Sequence, residues 1–126
     1  MIERIEISGQ HYEVDDDVRK YVEKKIGRLD KYMQSHARKS AHAEVILKQS
    51  KAKDKNQYTA EVILHVPKDR ITAKESTMNI YAAIDIVEAK LTTQLKKAKQ
   101  KALDHSESRP RIISRLMKLA QSRSRG

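Results

Sequence analysis

Lys90, Lys97 and Lys101 stand seven and four residues apart in the segment NIYAAIDIVEAKLTTQLKKAKQKAL, residues 79–103. On a helix those steps return to nearly the same face, so three ammonium groups line up in one narrow stripe. Lys20, Lys24, Arg28 and Lys31 fall on one outer arc of residues 16–33, and Lys25 lies between that arc and an apolar stripe, near Tyr21 and Tyr32. Rows of cations on helices dock on polyphosphate, which points to RNA or DNA. The helix macrodipole also favours lysines near a C-terminus, which accounts for part of Lys96, Lys97, Lys99 and Lys101 without any ligand. That effect does not reach Lys90 or the outer arc. Two neighbouring helices with basic outer faces would make one electropositive platform.

Other chemistry finds little support. The histidines are His11, His36, His42, His65 and His105, and only the pair His42-x-Glu44 shares a strand face with a carboxylate. Two residues do not make a metal site, and no HExxH-like spacing is present. Asp15, Asp16 and Asp17 precede an apolar helical pattern, so helix capping is a better account of them than a metal cluster. The three glycines are isolated, which excludes a glycine-rich phosphate loop, and no serine has a convincing His/Asp constellation. With no cysteine, disulfides, Cys-ligated zinc and thiol catalysis are excluded. The reading is a protein that is not an enzyme and takes no cofactor, metal or small-molecule substrate.

The elements that must position the cations follow from periodicity. Ile2, Ile5 and Ile7 lie in a short first strand ended by Gly9. Asp15–Asp17 supply the N-cap and first turn of a helix over Asp16–Met33, with Val18, Val22, Ile26, Leu29 and Met33 on its apolar side. SHARKS, residues 35–40, reads as a turn. Ala43, Val45 and Leu47 alternate with Glu44, Ile46 and Lys48 in a second strand, and KAKDKN, residues 51–56, is a polar hairpin connection. Tyr58 to Val66 is the clearest strand; Pro67-Lys68-Asp69 turns the chain into a shorter strand through Ile71, Ala73 and Glu75. Ser76 and Thr77 are capping candidates for the long helix, whose apolar arc is Ile80, Ile84, Val87, Leu91, Leu95, Ala98 and Ala102. The fold class is therefore α+β: a β-α-β-β-β-α two-layer sandwich in which a four-stranded sheet carries two helices on one face.

At 126 residues the chain suits one domain over residues 1–104, followed by a basic, flexible tail over 105–126. The tail holds six basic residues against Glu107 alone, half of the chain's net charge of +10. Pro110 interrupts any continuation of the long helix, and Ile112–Ala120 is long enough only for a marginal helix. The N-terminus lacks a signal-like apolar run and no stretch reaches the length of a membrane span, so the expectation is a soluble cytoplasmic protein. Five Tyr with no Phe or Trp argue against a base-stacking platform and favour contact with RNA backbone and shape.

The run IYAAIDIVEAKLTTQLKKAKQK resembles the signature helix of the ribosome hibernation promoting factor / ribosome-associated inhibitor A family, also called protein Y. That helix has a Tyr followed by Ala-Ile-Asp or Ala-Ile-Asn, then spaced Lys-Leu, Gln-Leu and lysines. VRKYVEKKIGRLDKY is similar to the family's first helix, and the strand order agrees with its fold over about residues 1–103. The resemblance implies a stationary-phase or stress protein, monomeric when free, that binds the 30S subunit and the 70S ribosome. It further implies contact with 16S rRNA in the cleft between head and body, where mRNA and tRNA bind, so that inhibition is by occlusion. The matching basic positions are Lys25, Arg28, Lys31, Lys90, Lys97 and Lys101; Lys24, Lys96 and Lys99 are adjacent candidates on charge alone. Long members carry a second, ribosome-pairing domain for which this chain is too short, and the basic tail departs from the shorter branch. Two other readings of the residues stay open: a general double-stranded-RNA-binding module, and a protein whose basic helices meet an acidic partner.

Overall fold

A computed structural model describes residues 1–67 and 69–106, with side chains through Lys101. The elements are β1 (Arg4–Gln10), α1 (Asp16–Gly27), a 3₁₀ turn (Arg28–Tyr32), α2 (Ser35–Arg38), β2 (His42–Ala52), β3 (Lys55–Val66), β4 (Asp69–Thr77) and α3 (Ile80–Ser106). The strands form one sheet in the order β1-β2-β3-β4. β1 lies parallel to β2, as a crossover through a helix requires, and the rest is an antiparallel meander. α1 and α3 pack side by side, α3 over β3 and β4 and α1 against β1, giving the α+β arrangement expected from periodicity.

Alternation places Ala43, Val45 and Leu47 of β2 and Ala60, Val62 and Leu64 of β3 under the helices, all buried. From above, Val18, Val22, Ile26 and Leu29 meet Ile84, Val87, Leu91 and Leu95 in the same cluster. Each fully buried aliphatic side chain there contributes about 1.5–3 kcal/mol relative to exposure. No charged or polar residue is buried among the described residues, so the core is purely apolar.

Several boundaries differ from the sequence reading. The first helix stops at Gly27 and continues as the 3₁₀ turn because the Gly27 carbonyl accepts the Ile2 N–H at 2.9 Å, a partner outside the helix. β1 runs through Gly9 to Gln10. Gly9 is required there since a Cβ would lie 2.0 Å from the Tyr12 carbonyl oxygen as the chain folds back, with His11 at φ 53°. The β2–β3 hairpin is longer than expected: strands run to Ala52 and from Lys55, and Lys53 and Asp54 alone turn the chain, both at positive φ. Residues 35–38 are a helical turn rather than a simple bend.

Asp15 caps α1 as expected, its Oδ1 accepting from Val18 N at 2.8 Å. The cap of α3 is Asn79, not Ser76 or Thr77, because β4 continues through Thr77. Asn79 Oδ1 accepts from Tyr81 N at 2.8 Å, while Ser76 pairs with Thr59 across the sheet. The apolar arc of α3 ends at Leu95. Ala98 is exposed, lining a shallow hollow with Tyr32, Met33 and Pro67, and the Ala102 side chain lies outside the described residues. So do residues 107–126, and with them most of the tail and the short helix expected at Ile112–Ala120. Among the described residues, no helix is long and apolar enough to cross a membrane.

Candidate nucleic-acid interface

The seam between α1 and α3 is an ion-pair ladder. Tyr21, Lys25 and Arg28 follow one another at helical spacing on α1 and just beyond it, and Asp85 and Glu88 stand three apart on α3. Tyr21 Oη donates to Asp85 Oδ1 at 2.5 Å. Lys25 Nζ lies 3.4 Å from Asp85 and 3.9 Å from Glu88, and 5.5 Å from the Tyr21 ring centre. Arg28 grips Glu88 with two bonds, Nε at 2.6 Å and a terminal nitrogen at 3.1 Å, a bidentate geometry that holds its direction. That bond strengthens the guanidinium's hold on its proton. Lys25 and Arg28 thus meet acids of their own chain before any partner arrives.

The hydrogen bond to Asp85, followed by burial, pushes the Tyr21 phenol up from 10.0 to about 12. The folded state holds this proton more tightly than the unfolded chain, so the stabilisation is complete below about pH 10 and is lost as pH rises from about 10 to 12. Tyrosinate absorbance of the native protein, compared with Tyr21→Phe, should show one phenol ionising near that upper limit. In Asp85→Asn its midpoint should fall back toward 10.

Lys90 is also engaged, on the other flank of α3. Its Nζ lies 2.7 Å from Glu75 Oε2 and 3.1 Å from the Lys74 carbonyl oxygen on edge strand β4, and Gln94 donates to the Thr72 carbonyl at 3.0 Å. The two side chains cover the outer edge of β4, a position otherwise open to strand addition. Lys97 and Lys101 return to within about 20° of Lys90 around the helix, so they lie on this same flank. Glu88 and Lys97, nine residues apart, point in opposite directions, about 180° around the axis. The stripe of Lys90, Lys97 and Lys101 therefore faces away from α1, and the expected single platform is divided by α3 itself.

On the α1 side the cations gather around Tyr32. Lys31 Nζ and Lys96 Nζ approach its ring centre at 5.2 and 5.3 Å, the first from the 3₁₀ turn and the second from α3. Lys24, Lys97 and Lys101 are exposed and have no ion pair among the described residues. Sequence reasoning named Lys96 on charge alone and missed the role of Tyr32, Asp85, Glu88 and Glu75. The signal for the seam was present in the matched spacing of Tyr21, Lys25 and Arg28 against Asp85 and Glu88, but it becomes informative only once the two helices are known to be neighbours.

The opposite face of the sheet is different in kind. It mixes Arg4, Lys48, Arg70 and Lys74 with Glu6, Glu44 and Glu61, and Lys48 pairs with Glu61 at 3.8 Å. Fold and charge together define a small basic α+β domain whose helical layer carries a group of exposed cations, with others on the sheet face (Arg4, Arg70) and the β2–β3 hairpin (Lys51, Lys53, Lys55). The family of sigma 54 modulation protein / S30EA ribosomal protein matches residues 5–102. The ribosome hibernation promoting factor of Pseudomonas putida is 38% identical over 98 residues, covering 78% of this chain and 88% of that one. That of Azotobacter vinelandii is 35% identical over 104 residues, covering 82% and 90%. Among solved structures, the N-terminal domain of Thermus thermophilus protein Y matches with a TM-score of 0.62 and 34% identity, covering 76% of this chain and 96% of that domain. A ribosomal subunit interface protein from Coxiella burnetii shares the fold, with a TM-score of 0.64 at 24% identity. The chain belongs to this S30EA family, that of the ribosome hibernation promoting factors and protein Y.

Proposed function

We propose that this protein binds the small ribosomal subunit through its helical layer, meets 16S rRNA in the channel used by mRNA and tRNA, and silences translation by occupying that space. It works as a binding factor rather than an enzyme, in the cytoplasm where ribosomes are. The supporting observation is the concentration on the helices of exposed lysines without an ion pair among the described residues, in a chain whose family relatives are named for ribosome hibernation. Lys24, Lys31, Lys97 and Lys101 have no ion pair among the described residues and form the proposed first contacts with phosphate. Lys25 and Arg28 tie the first helix and its 3₁₀ turn to α3, Lys90 ties α3 to β4, and each can turn to RNA only by exchanging an internal acid for a phosphate. Lys96 joins Lys31 at Tyr32 as a further contact.

Pelleting with purified small subunits at moderate salt tests this reading. The expected result is saturable, one-to-one co-sedimentation that a plain RNA duplex does not compete away and that an mRNA filling the channel does. Absence from the pellet would overturn the proposal. Equal competition by duplex would replace it with a general double-stranded-RNA binder.

A further inference from the structure

The helix-free face of the sheet holds a second chemical grouping, built by strand register. His42 on β2 stands opposite His65 on β3, and Glu44, two residues along β2, points to the same face. The two imidazoles are stacked, with ring centres 4.3 Å apart and planes 12° from parallel. Glu44 Oε1 lies 3.6 Å from His65 Nε2, too far for a hydrogen bond. One donor atom from each of the three residues can be chosen so that all lie within 4.8 Å of one another, the one such trio among the described residues.

His65 Nε2 supplies the second observation. It is sealed from solvent and has no hydrogen-bond partner, although the ring as a whole is only half-buried. A buried ring nitrogen left without a partner is costly, and a histidine serving only as packing would turn it to water or to the carboxylate beside it. Here Nε2 is left 3.6 Å from the Glu44 carboxylate, near enough to share an ion with it but not to bond it directly, with the His42 ring stacked alongside. Two imidazoles and a carboxylate are the donor set that zinc and its first-row neighbours take, whereas magnesium and calcium prefer oxygen alone. Metal–ligand bonds of about 2.0–2.2 Å place neighbouring donors of a tetrahedral ion about 3.4 Å apart. The donors reach that spacing by closing up to about 1.4 Å. Because the stacked rings carry their in-plane lone pairs nearly parallel, one imidazole must also tilt out of the stack. The partly exposed side chains have rotamer freedom for both. Arg4 and Arg70 extend the row at either end, opposite His42 and His65, and both are exposed and able to swing into water.

We propose that His42, Glu44 and His65 bind one divalent transition-metal ion of the zinc class on the face opposite the ribosome-facing helices. Three ligands leave at least one coordination position open to water or to an incoming donor, and the ion ties β2 to β3 across their register. The site is independent of the ribosome-binding reading, since none of its residues belongs to the helical layer.

Calorimetric titration of the full 126-residue chain with zinc chloride near neutral pH tests the proposal, with Co²⁺ as a spectroscopic probe of the same site. The expected result is one ion per chain, visible Co²⁺ bands of a four- or five-coordinate centre, and a higher unfolding temperature with zinc. His65→Ala should weaken binding at least about a hundredfold, because even an outer-shell partner can be worth that much. His42→Gln, on the other strand, should do the same should the first variant fold poorly. Glu44→Gln should also weaken binding, while His36→Ala and His105→Ala leave it unchanged. Absence of saturable one-to-one binding, or binding that survives both His65→Ala and His42→Gln, would overturn the assignment.

Discussion

Reversing Lys24, Lys31, Lys97 and Lys101 to glutamate is expected to weaken binding to small ribosomal subunits by roughly a hundred- to a thousandfold near physiological salt, if each meets one phosphate. The same variant should flatten the log–log salt dependence by about 3, since each phosphate contact contributes about 0.7–0.9 to that slope. None of the four side chains is ion-paired or buried among the described residues, so the folded state has little to lose. The unfolding temperature should stay close to that of the unaltered protein. Arg28→Ala and Lys90→Ala should behave in the reverse manner. The first leaves Glu88, whose side chain is only 13% exposed, without its bidentate partner, and the second uncovers the edge of β4. Both should lower stability measurably in equilibrium denaturation while altering the salt slope by no more than about 1. Should the fourfold variant bind with its full slope, the cations that meet RNA lie elsewhere.

Leu91→Ala is the corresponding test of the scaffold. Leu91 is fully buried beneath α3, in the cluster with Leu64, Ile84 and Val87. Removing its isobutyl group forfeits transfer free energy and leaves a cavity that a sheet and a helix cannot close, at a cost of about 2–5 kcal/mol. Against a total stability of about 5–15 kcal/mol, that is a large fraction. Urea denaturation should show the midpoint falling with the slope unchanged, since the surface exposed on unfolding is nearly the same. A cost below about 1 kcal/mol would mean that α3 is not held on the sheet by this stripe.

Periodicity makes most of the scaffold legible in the sequence itself. Alternation in β2 and β3 selects Val45, Leu47, Val62 and Leu64 for the core, and the 3.6-residue period selects Ile84, Val87 and Leu91. Asp15 was legible as a cap because an acid before an apolar helical pattern has one common use. What sequence could not yield depends on contacts between distant segments. The early end of α1 needs Ile2 to reach Gly27, and the Lys53-Asp54 turn carries none of the glycine that usually signals positive φ. Helical spacing grouped Lys90 with Lys97 and Lys101 correctly, but nothing in it says that their flank faces β4 and not α1. Likewise His42 and Glu44 are two residues apart in sequence, and only the hairpin register adds His65.

The absence of cysteine makes one measurement especially direct, because a single introduced thiol is the only attachment point for a tethered hydroxyl-radical source. Probes at Lys24→Cys and Thr92→Cys on the helical layer, and at Ser8→Cys and Thr72→Cys on the sheet side, can each be bound to small subunits and the rRNA cleavage mapped. The account predicts strong cleavage clustered around the mRNA and tRNA channel from the helical probes and little from the sheet. Strong cleavage from the sheet probes with silence from the helices would contradict it.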